Sequence, residues 1–221
     1  MTRKVVVFGD GVMAGLAHFY LGHDSPHDIV AFTVDRDRMT DDTKLGLPVV
    51  PFEDILQRYP PSRFSMFVAL GYGRMNRIRE AKYLQAKELG YDLISYVSST
   101  ATTWPGATIG DNCFIMENVV IQPFAIVGND VIMWSGCHIG HESVIKDHVF
   151  ISSHVVVSGL VTIEENCFLG VNATLRDGIT VARECVVGAN AFINRDTQER
   201  GVYAGPTGQL IPTPSDRLPS V

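Results

Sequence analysis

No apolar stretch in this sequence is long enough to cross a membrane. The first candidate, Val5-Val6-Val7-Phe8, stops at Gly9-Asp10-Gly11, too short for a bilayer span or for the core of a secretion signal. Clusters of one charge sign are also missing. The 18 basic residues are interspersed with 24 acidic ones, for a net charge of −6, which argues against a nucleic-acid partner. Cysteine is scarce: Cys113, Cys137, Cys167 and Cys185 lie far apart with no CxxC pair, so neither a zinc knuckle nor a small disulfide scaffold fits. What remains is a cytoplasmic globular protein with no membrane contact. Its 221 residues, 46% of them apolar, suffice for one large domain or two small ones.

The chain changes period near residue 100. Before it, short apolar runs alternate with helix-like stretches: Val5–Phe8 reads as a buried strand, residues 11–23 as a helix, 29–35 as a strand, 48–51 as a short third segment, 52–59 as amphipathic, 67–71 as another strand, 76–89 as a helix ending at Gly90, and 92–97 as a returning strand. Such alternation predicts a parallel α/β sheet. Residues 1–100 are therefore expected to form a Rossmann-like domain and residues 101–221 a second one.

From residue 101 the period is six. Ile109, Ile115, Ile121, Val127 and Met133 begin a series that ends at Ile193; the span is 193 − 109 = 84 residues, hence 14 steps and 15 positions, all aliphatic or Met. The residue two before each, from Ala107 to Ala191, is small or β-branched. A six-residue repeat of this kind predicts a left-handed parallel β-helix, with three repeats per triangular coil and five coils in all. At the usual strand spacing that is a prism about 25 Å tall. All four cysteines occupy the small-residue position, where they act as small core hydrophobes. The run leaves no room for an extruded loop between Ile109 and Ile193. The tail, residues 197–221, is rich in proline and polar residues and is expected to cap the last coil and then loosen.

The prism holds His138, His141, His148 and His154. Counted from Ile139, His141 stands at +2 and Glu142 at +3, outward or corner positions. Adjacent His and Glu can form a pair in which the carboxylate fixes the imidazole tautomer; a solvated polar corner would look the same. Some hexapeptide-repeat carbonic anhydrases hold zinc with a histidine pair five residues apart. The separations here are 3, 6, 7, 10, 13 and 16, so no metal is expected. One coil is 18 residues, which stacks Gly159 on His141, and a glycine there leaves its backbone N–H open to an oxyanion. In the N-terminal half, Gly9-Asp10-Gly11-Val12-Met13-Ala14 fits GxGxxA after a strand, with Asp35 about twenty residues on. That suits a phosphate at a helix N-terminus and a carboxylate on a ribose, and equally any tight strand-to-helix turn.

A short α/β domain followed by these repeats resembles the bacterial sugar acyltransferases of the bacillosamine and sialic-acid O-acetyltransferase type, over nearly the whole chain. The matching stretches are Ser135-Gly136-Cys137-His138-Ile139-Gly140-His141-Glu142-Ser143-Val144-Ile145 and Asn166-Cys167-Phe168-Leu169-Gly170-Val171-Asn172. The resemblance implies that His141 is the general base with Glu142 beside it. It further implies that acetyl-CoA is bound along Gly159, Val171 and Ala189, and that a nucleotide-linked sugar is held by Gly9, Gly11, Met13, Ala14, Asp35 and Gly71. Two positions depart from the family. Phe150 stands where a second histidine commonly touches the acyl-CoA, and Trp134 where several members have an asparagine near the acceptor amine.

The expectation is a homotrimeric, acetyl-CoA-dependent transferase that acylates an amino or hydroxyl group of a nucleotide-sugar by direct attack. The trimer follows because a flat prism face encloses little, whereas two prisms side by side form a groove for an elongated pantetheine arm. The rival expectations are an acyltransferase for a non-sugar small molecule and a non-catalytic sugar-binding scaffold.

Overall fold

The computed structural model describes residues 2–210 and 212–217. Strands β1 (Lys4–Phe8), β2 (Asp28–Val34), β3 (Thr43–Lys44), β4 (Leu47–Pro51) and β5 (Ser65–Val68) form one sheet in the order β3-β4-β2-β1-β5. All its pairings are parallel except the β3/β4 hairpin. Helix α1 (Val12–His23) covers one face, through Ala14, Ala17 and Leu21. The one-turn helix α2 (Ile55–Arg58) and helix α3 (Arg77–Glu88) cover the other, through Ile55, Tyr83 and Ala86. Helix α3 stops at Gly90, whose φ is +87. The Gly90 N–H donates to Lys87 O and the Tyr91 N–H to Ala86 O, the paired bonds of a glycine-terminated helix.

From Tyr96 onward the chain winds as a prism of two-residue strands. Each pairs in parallel with the strand 18 residues away, except Val202–Tyr203, which lies 16 residues from its partner, in three sheets of six, five and seven strands, an arrangement that fits a left-handed parallel β-helix. Of the 15 aliphatic positions all but Ile109 are buried, and so are the small positions after Ala107. The turns repeat as strictly as the core. Every sixth residue from Asn112 to Asn190 has a positive φ, which is why Asn, Asp, His and Gly recur there; Phe124 and Leu160 adopt it too, an uncommon conformation for bulky side chains.

Two segments differ from the sequence reading. Residues 92–97 do not form one returning strand. Leu93 makes a single bridge to Met66 beside β5, and Tyr96–Val97 is already the first rung of the prism, paired with Phe114–Ile115. The tail does cap the last coil. Thr197 bonds to Thr180 and Ala182, and Val202–Tyr203 adds a rung beside Val186–Val187. Ile211 and residues 218–221, included in the expected loosening, lie outside the described residues. Among the described residues no helix is long and apolar enough to cross a membrane.

The two halves share a core. The outer residues of the seven-stranded face, Tyr96, Phe114, Ile132 and Phe150, pack with Val5, Val7, Phe32 and Phe67 of the first sheet and with α1. Along the adjoining corner a polar column, one residue per coil, grips the N-terminal half. The Val68 N–H donates to Asn112 Oδ1 at 2.7 Å, Arg79 Nε to Asp130 Oδ2 at 3.0 Å, the Tyr83 ring lies edge-on to His148, Asn166 Nδ2 donates to Glu80 Oε2 at 2.9 Å, and Arg77 pairs with Glu184.

Candidate active site

His141 and Glu142 lie on the corner between the six- and five-stranded faces, where the chain turns from His138–Ile139 to Val144–Ile145. Glu142 is the left-handed residue of that turn, with φ +57. This conformation swings its carboxylate back to the preceding ring, and His141 Nδ1 meets Glu142 Oε2 at 3.2 Å. Donation from Nδ1–H to the carboxylate leaves the lone pair on Nε2. The backbone N–H of His141 donates to Gln122 Oε1 at 2.9 Å, a support that the sequence reading did not single out. Both side chains are about half exposed, 52% and 55%.

Gly159 stacks on His141 as the 18-residue spacing predicts; a Cβ there would fall 2.5 Å from His141 Nε2. Its amide, however, is not open. The Gly159 N–H donates to Asp177 Oδ1 at 2.9 Å, so the expected oxyanion donor is already bonded. The reason lies in the same periodicity: Asp177 is one further coil along the corner, 159 + 18 = 177, where a short carboxylate reaches the amide below it.

Val171 and Ala189 come together, but on a different corner. The spacing 189 − 171 = 18 stacks them, whereas 171 − 141 = 30 is no multiple of 18 and separates them from His141. They line a pocket of about 470 Å³ together with Tyr72, Trp134, Phe150 and Phe168. The two positions at which the sequence departs from the resembled family, Trp134 and Phe150, thus share one apolar pocket. Tyr72 sits 5.0 Å, centroid to centroid, from both Phe150 and Phe168.

A larger pocket of about 810 Å³ opens at the carboxyl ends of β1 and β2. Gly9, Gly11, Met13, Asp35 and Gly71 line it. Ala14 does not; it is fully buried, and its smallness serves the packing of α1 on β1. Gly9 must be glycine, since its φ is +120 and a Cβ would lie 2.9 Å from Ala69 O. At Gly11 a Cβ would meet nothing within 4 Å, so the empty space there belongs to the pocket. The first-turn amides of α1 have no acceptors within the helix, and such an end attracts anions. Arg38, Arg74 and Lys82 also line the pocket. They come from three separate segments with no shared motif, so only the fold brings them together. Lys82 Nζ bonds Asp35 Oδ1 at 2.5 Å, so the carboxylate expected on a ribose is held by a lysine in the empty pocket.

The other prism histidines stand apart. His138 is an outward strand residue, His148 is buried with its Nδ1 2.8 Å from Asp130, and the His154 ring lies against Gly136. Among the described residues no three His, Cys, Asp or Glu side chains group as a metal site would require.

Family models match the prism twice, as bacterial transferase hexapeptide repeats over residues 106–141 and as the hexapeptide repeat of succinyl-transferase over residues 160–195. Among solved structures, a histidine-to-asparagine mutant of perosamine N-acetyltransferase from Caulobacter crescentus, in complex with CoA and GDP-perosamine, is 25% identical, with a TM-score of 0.80 over 91% of this chain and 93% of that one. The acetyltransferase domain of PglB from Neisseria gonorrhoeae FA1090 is 28% identical, with a TM-score of 0.78 over 92% and 97%. The same domain in complex with acetyl coenzyme A gives 0.75 over 89% and 93%, again at 28% identity. No curated protein sequence matches significantly. Two hexapeptide-repeat models within one uninterrupted prism, together with N-acetyltransferase structures matched over almost the whole chain, support an acyltransferase.

Proposed function

We propose that the protein transfers an acetyl group from acetyl-CoA to an amino or hydroxyl group on a nucleotide-linked sugar. The α/β half before Tyr96 acts as a Rossmann-like domain that holds the nucleotide, and the β-helix from Tyr96 onward carries the chemistry. The observation that carries this reading is the pairing of two separate features in one chain. A His-Glu dyad with a free Nε2 stands on a prism corner, and the other half of the chain holds a pocket of about 810 Å³ with a helix N-terminus and three cations. Complexes of the similar enzymes with CoA, acetyl-CoA and GDP-perosamine support the same donor and the same class of acceptor.

The acceptor diphosphate sits at the amides of α1 near Gly11, with Met13 and Gly71 beside it and Asp35 turned from Lys82 toward the nucleoside. The acceptor N–H or O–H attacks the thioester carbon. As the C–N or C–O bond forms, His141 Nε2 takes the proton, and the imidazolium is stabilised by Glu142. The C–S bond then breaks, and the proton passes to the departing CoA thiolate. Such a base contributes about 10²- to 10⁴-fold in rate. Gly159 contributes room for the ring. Val171 and Ala189 line the groove for the coenzyme arm.

The working form is a homotrimer in the cytoplasm. Within one chain His141 and Val171 are on different corners, so the groove needs the corner of a second copy. The column that contains Glu142 supports this: Phe124 one coil below and Leu160 one coil above are 64% and 56% exposed, in a backbone conformation that such side chains rarely adopt without functional reason. The experiment is to mix the protein with acetyl-CoA and a panel of GDP-, UDP- and dTDP-linked amino and hydroxy sugars and follow free thiol. Turnover with at least one acceptor is expected. Acetyl-CoA binding without thiol release across the panel would overturn the reading.

A further inference from the structure

Arg79 is among the largest fully buried side chains of the molecule; it contacts neither member of the dyad and lines neither pocket. A buried guanidinium is tolerated only when its charge is matched and its five N–H groups find acceptors. Here all five do. Nε donates to Asp130 Oδ2 at 3.0 Å, Nη1 to Gly71 O and to Asn76 Oδ1 at 3.2 Å each, and Nη2 to the carbonyls of Asp130 at 3.1 Å and His148 at 2.9 Å. Asp130, fully buried, is fixed in turn by Asn112 Nδ2 at 2.7 Å and His148 Nδ1 at 2.8 Å. Burying an ion pair of this kind is poor value for stability. What it secures is one geometry, in which both ends of the 71–76 loop are pinned to the prism.

That loop is under strain and serves both pockets. Arg74, Met75 and Asn76 have φ of +50, +53 and +64 in succession, conformations that persist only where the surroundings impose them. Gly71 and Arg74 line the larger pocket, while Tyr72, between them in sequence, lines the smaller one against Phe150 and Phe168. Asn76 Nδ2 adds a second tether, to Cys167 O at 3.1 Å.

We propose that Arg79 is a positioning residue for acceptor recognition. It fixes the 71–76 loop between the prism and the larger pocket, and thereby sets the wall against which the nucleotide-sugar is held. This rests on the larger pocket being the acceptor site. The loop's own backbone bonds, from the Asn76 N–H to Tyr72 O and from the Arg77 N–H to Arg74 O at 3.2 Å each, are joined by those of Arg79 to Gly71 O and Asn76 Oδ1. Release of Gly71 O and Asn76 Oδ1 lets it relax, and Arg74 leaves the pocket wall. A lysine keeps the charge opposite Asp130 but cannot reach both ends of the loop, because it lacks the planar fork.

The test uses the full chain. Arg79→Lys, and separately Asn76→Gly, which keeps the left-handed backbone and the Arg79–Asp130 pair while removing the loop contact, are compared with wild type. GDP and UDP binding is measured by calorimetry, together with the KM values for acetyl-CoA and for the accepted nucleotide-sugar. The expected result is a nucleoside-diphosphate Kd and an acceptor KM raised about tenfold or more in Arg79→Lys and several-fold in Asn76→Gly, with the acetyl-CoA KM within twofold of wild type. A merely structural role would move both KM values together. Folded variants with unchanged nucleoside-diphosphate affinity overturn the proposal alone. A wild-type protein that binds neither nucleotide overturns the acceptor reading of the pocket, and this proposal with it.

Discussion

The imidazole of His141 lies directly against Gly159, so close that a methyl group at position 159 would fall 2.5 Å from Nε2. Gly159 does not need glycine for its backbone, since its φ is not in the left-handed region. Gly159→Ala should therefore fold, yet it pushes the ring from its place. A displacement of about 1 Å can cost on the order of 10² in rate. The expected kcat loss is of that size, with Tm near wild type, approaching the loss of two or more orders of magnitude expected for His141→Ala. Glu142→Ala should cost less than either. Steady-state kinetics on the three variants checks this, and a Gly159→Ala enzyme with normal kcat would remove His141 from the base role.

Much of this corner was readable from the sequence because the prism is periodic. An interior position every six residues must be aliphatic, so the core series announced itself, and counting by 18 placed Gly159 on His141. The same count carried one step further reaches Asp177, whose bond to the Gly159 amide closes the donor that glycine alone suggested was free. The docking of the two halves was not readable. Asn112, Asp130, His148, Asn166 and Glu184 look like solvated turn residues of the kind that favours left-handed φ, and nothing local distinguishes them from Asn118 or Asn172. Only the fold of residues 65–88 against that corner turns them into partners for Val68, Arg79 and Arg77. The larger pocket was half readable: its glycine turn has a pattern, whereas Arg38, Arg74 and Lys82 have none.

The proposed direct attack gives no role to a cysteine, and burial makes three of the thiols poor nucleophiles. Burial pushes Cys113 and Cys167 up to about 12 and Cys137 up to about 11. Their S–H groups point to the carbonyls of Gly128, Ala182 and Ser152, each 15 residues on. Since the thiolate is the reactive species, iodoacetamide at pH 8 should leave these three unmodified and the activity intact until the protein is denatured. Cys137→Ala should retain turnover. Rapid alkylation of the native enzyme with matching loss of activity would point to a covalent acyl intermediate.

Asp24, just beyond α1, ties that helix to the first rung of the prism. It accepts from the Ser99 N–H at 2.8 Å, the Tyr96 hydroxyl at 2.8 Å and the Ser98 hydroxyl at 3.3 Å. These bonds, the Ser99 amide first, favour its charged form and lower its pKa from 3.8 to about 2. A carboxylate lowered by folding adds stability that is fully present above its unfolded value and is lost as pH falls through the folded one. Asp24→Asn should therefore lower Tm at pH 7, and the gap should close between about pH 4 and pH 2 as the wild-type charge is lost. Thermal melts across that range decide the matter; a gap independent of pH would mean that the charge contributes nothing.

The last prediction concerns the division of the site between copies. His141 and Gly159 occupy one corner of the prism and Val171 and Ala189 another, because 18-residue stacking keeps each pair on its own edge. If each complete site is built from the first corner of one copy and the second corner of its neighbour, a defect on either corner disables a site only through the copy that carries it. His141→Ala lacks the base, and Val171→Arg fills the coenzyme groove, so each should be inactive alone. When the two are unfolded together and reassembled at equal amounts, random assortment in a closed ring pairs an intact His141 corner with an intact Val171 corner in about one site in four, one half times one half. Roughly a quarter of wild-type activity should return. Light scattering on the same sample should report a trimer, and Leu160→Asp, which puts a charge on the exposed apolar column beside Glu142, should abolish both the trimer and the recovered activity. Reassembled mixtures that form trimers yet stay inactive would place the whole site on one chain.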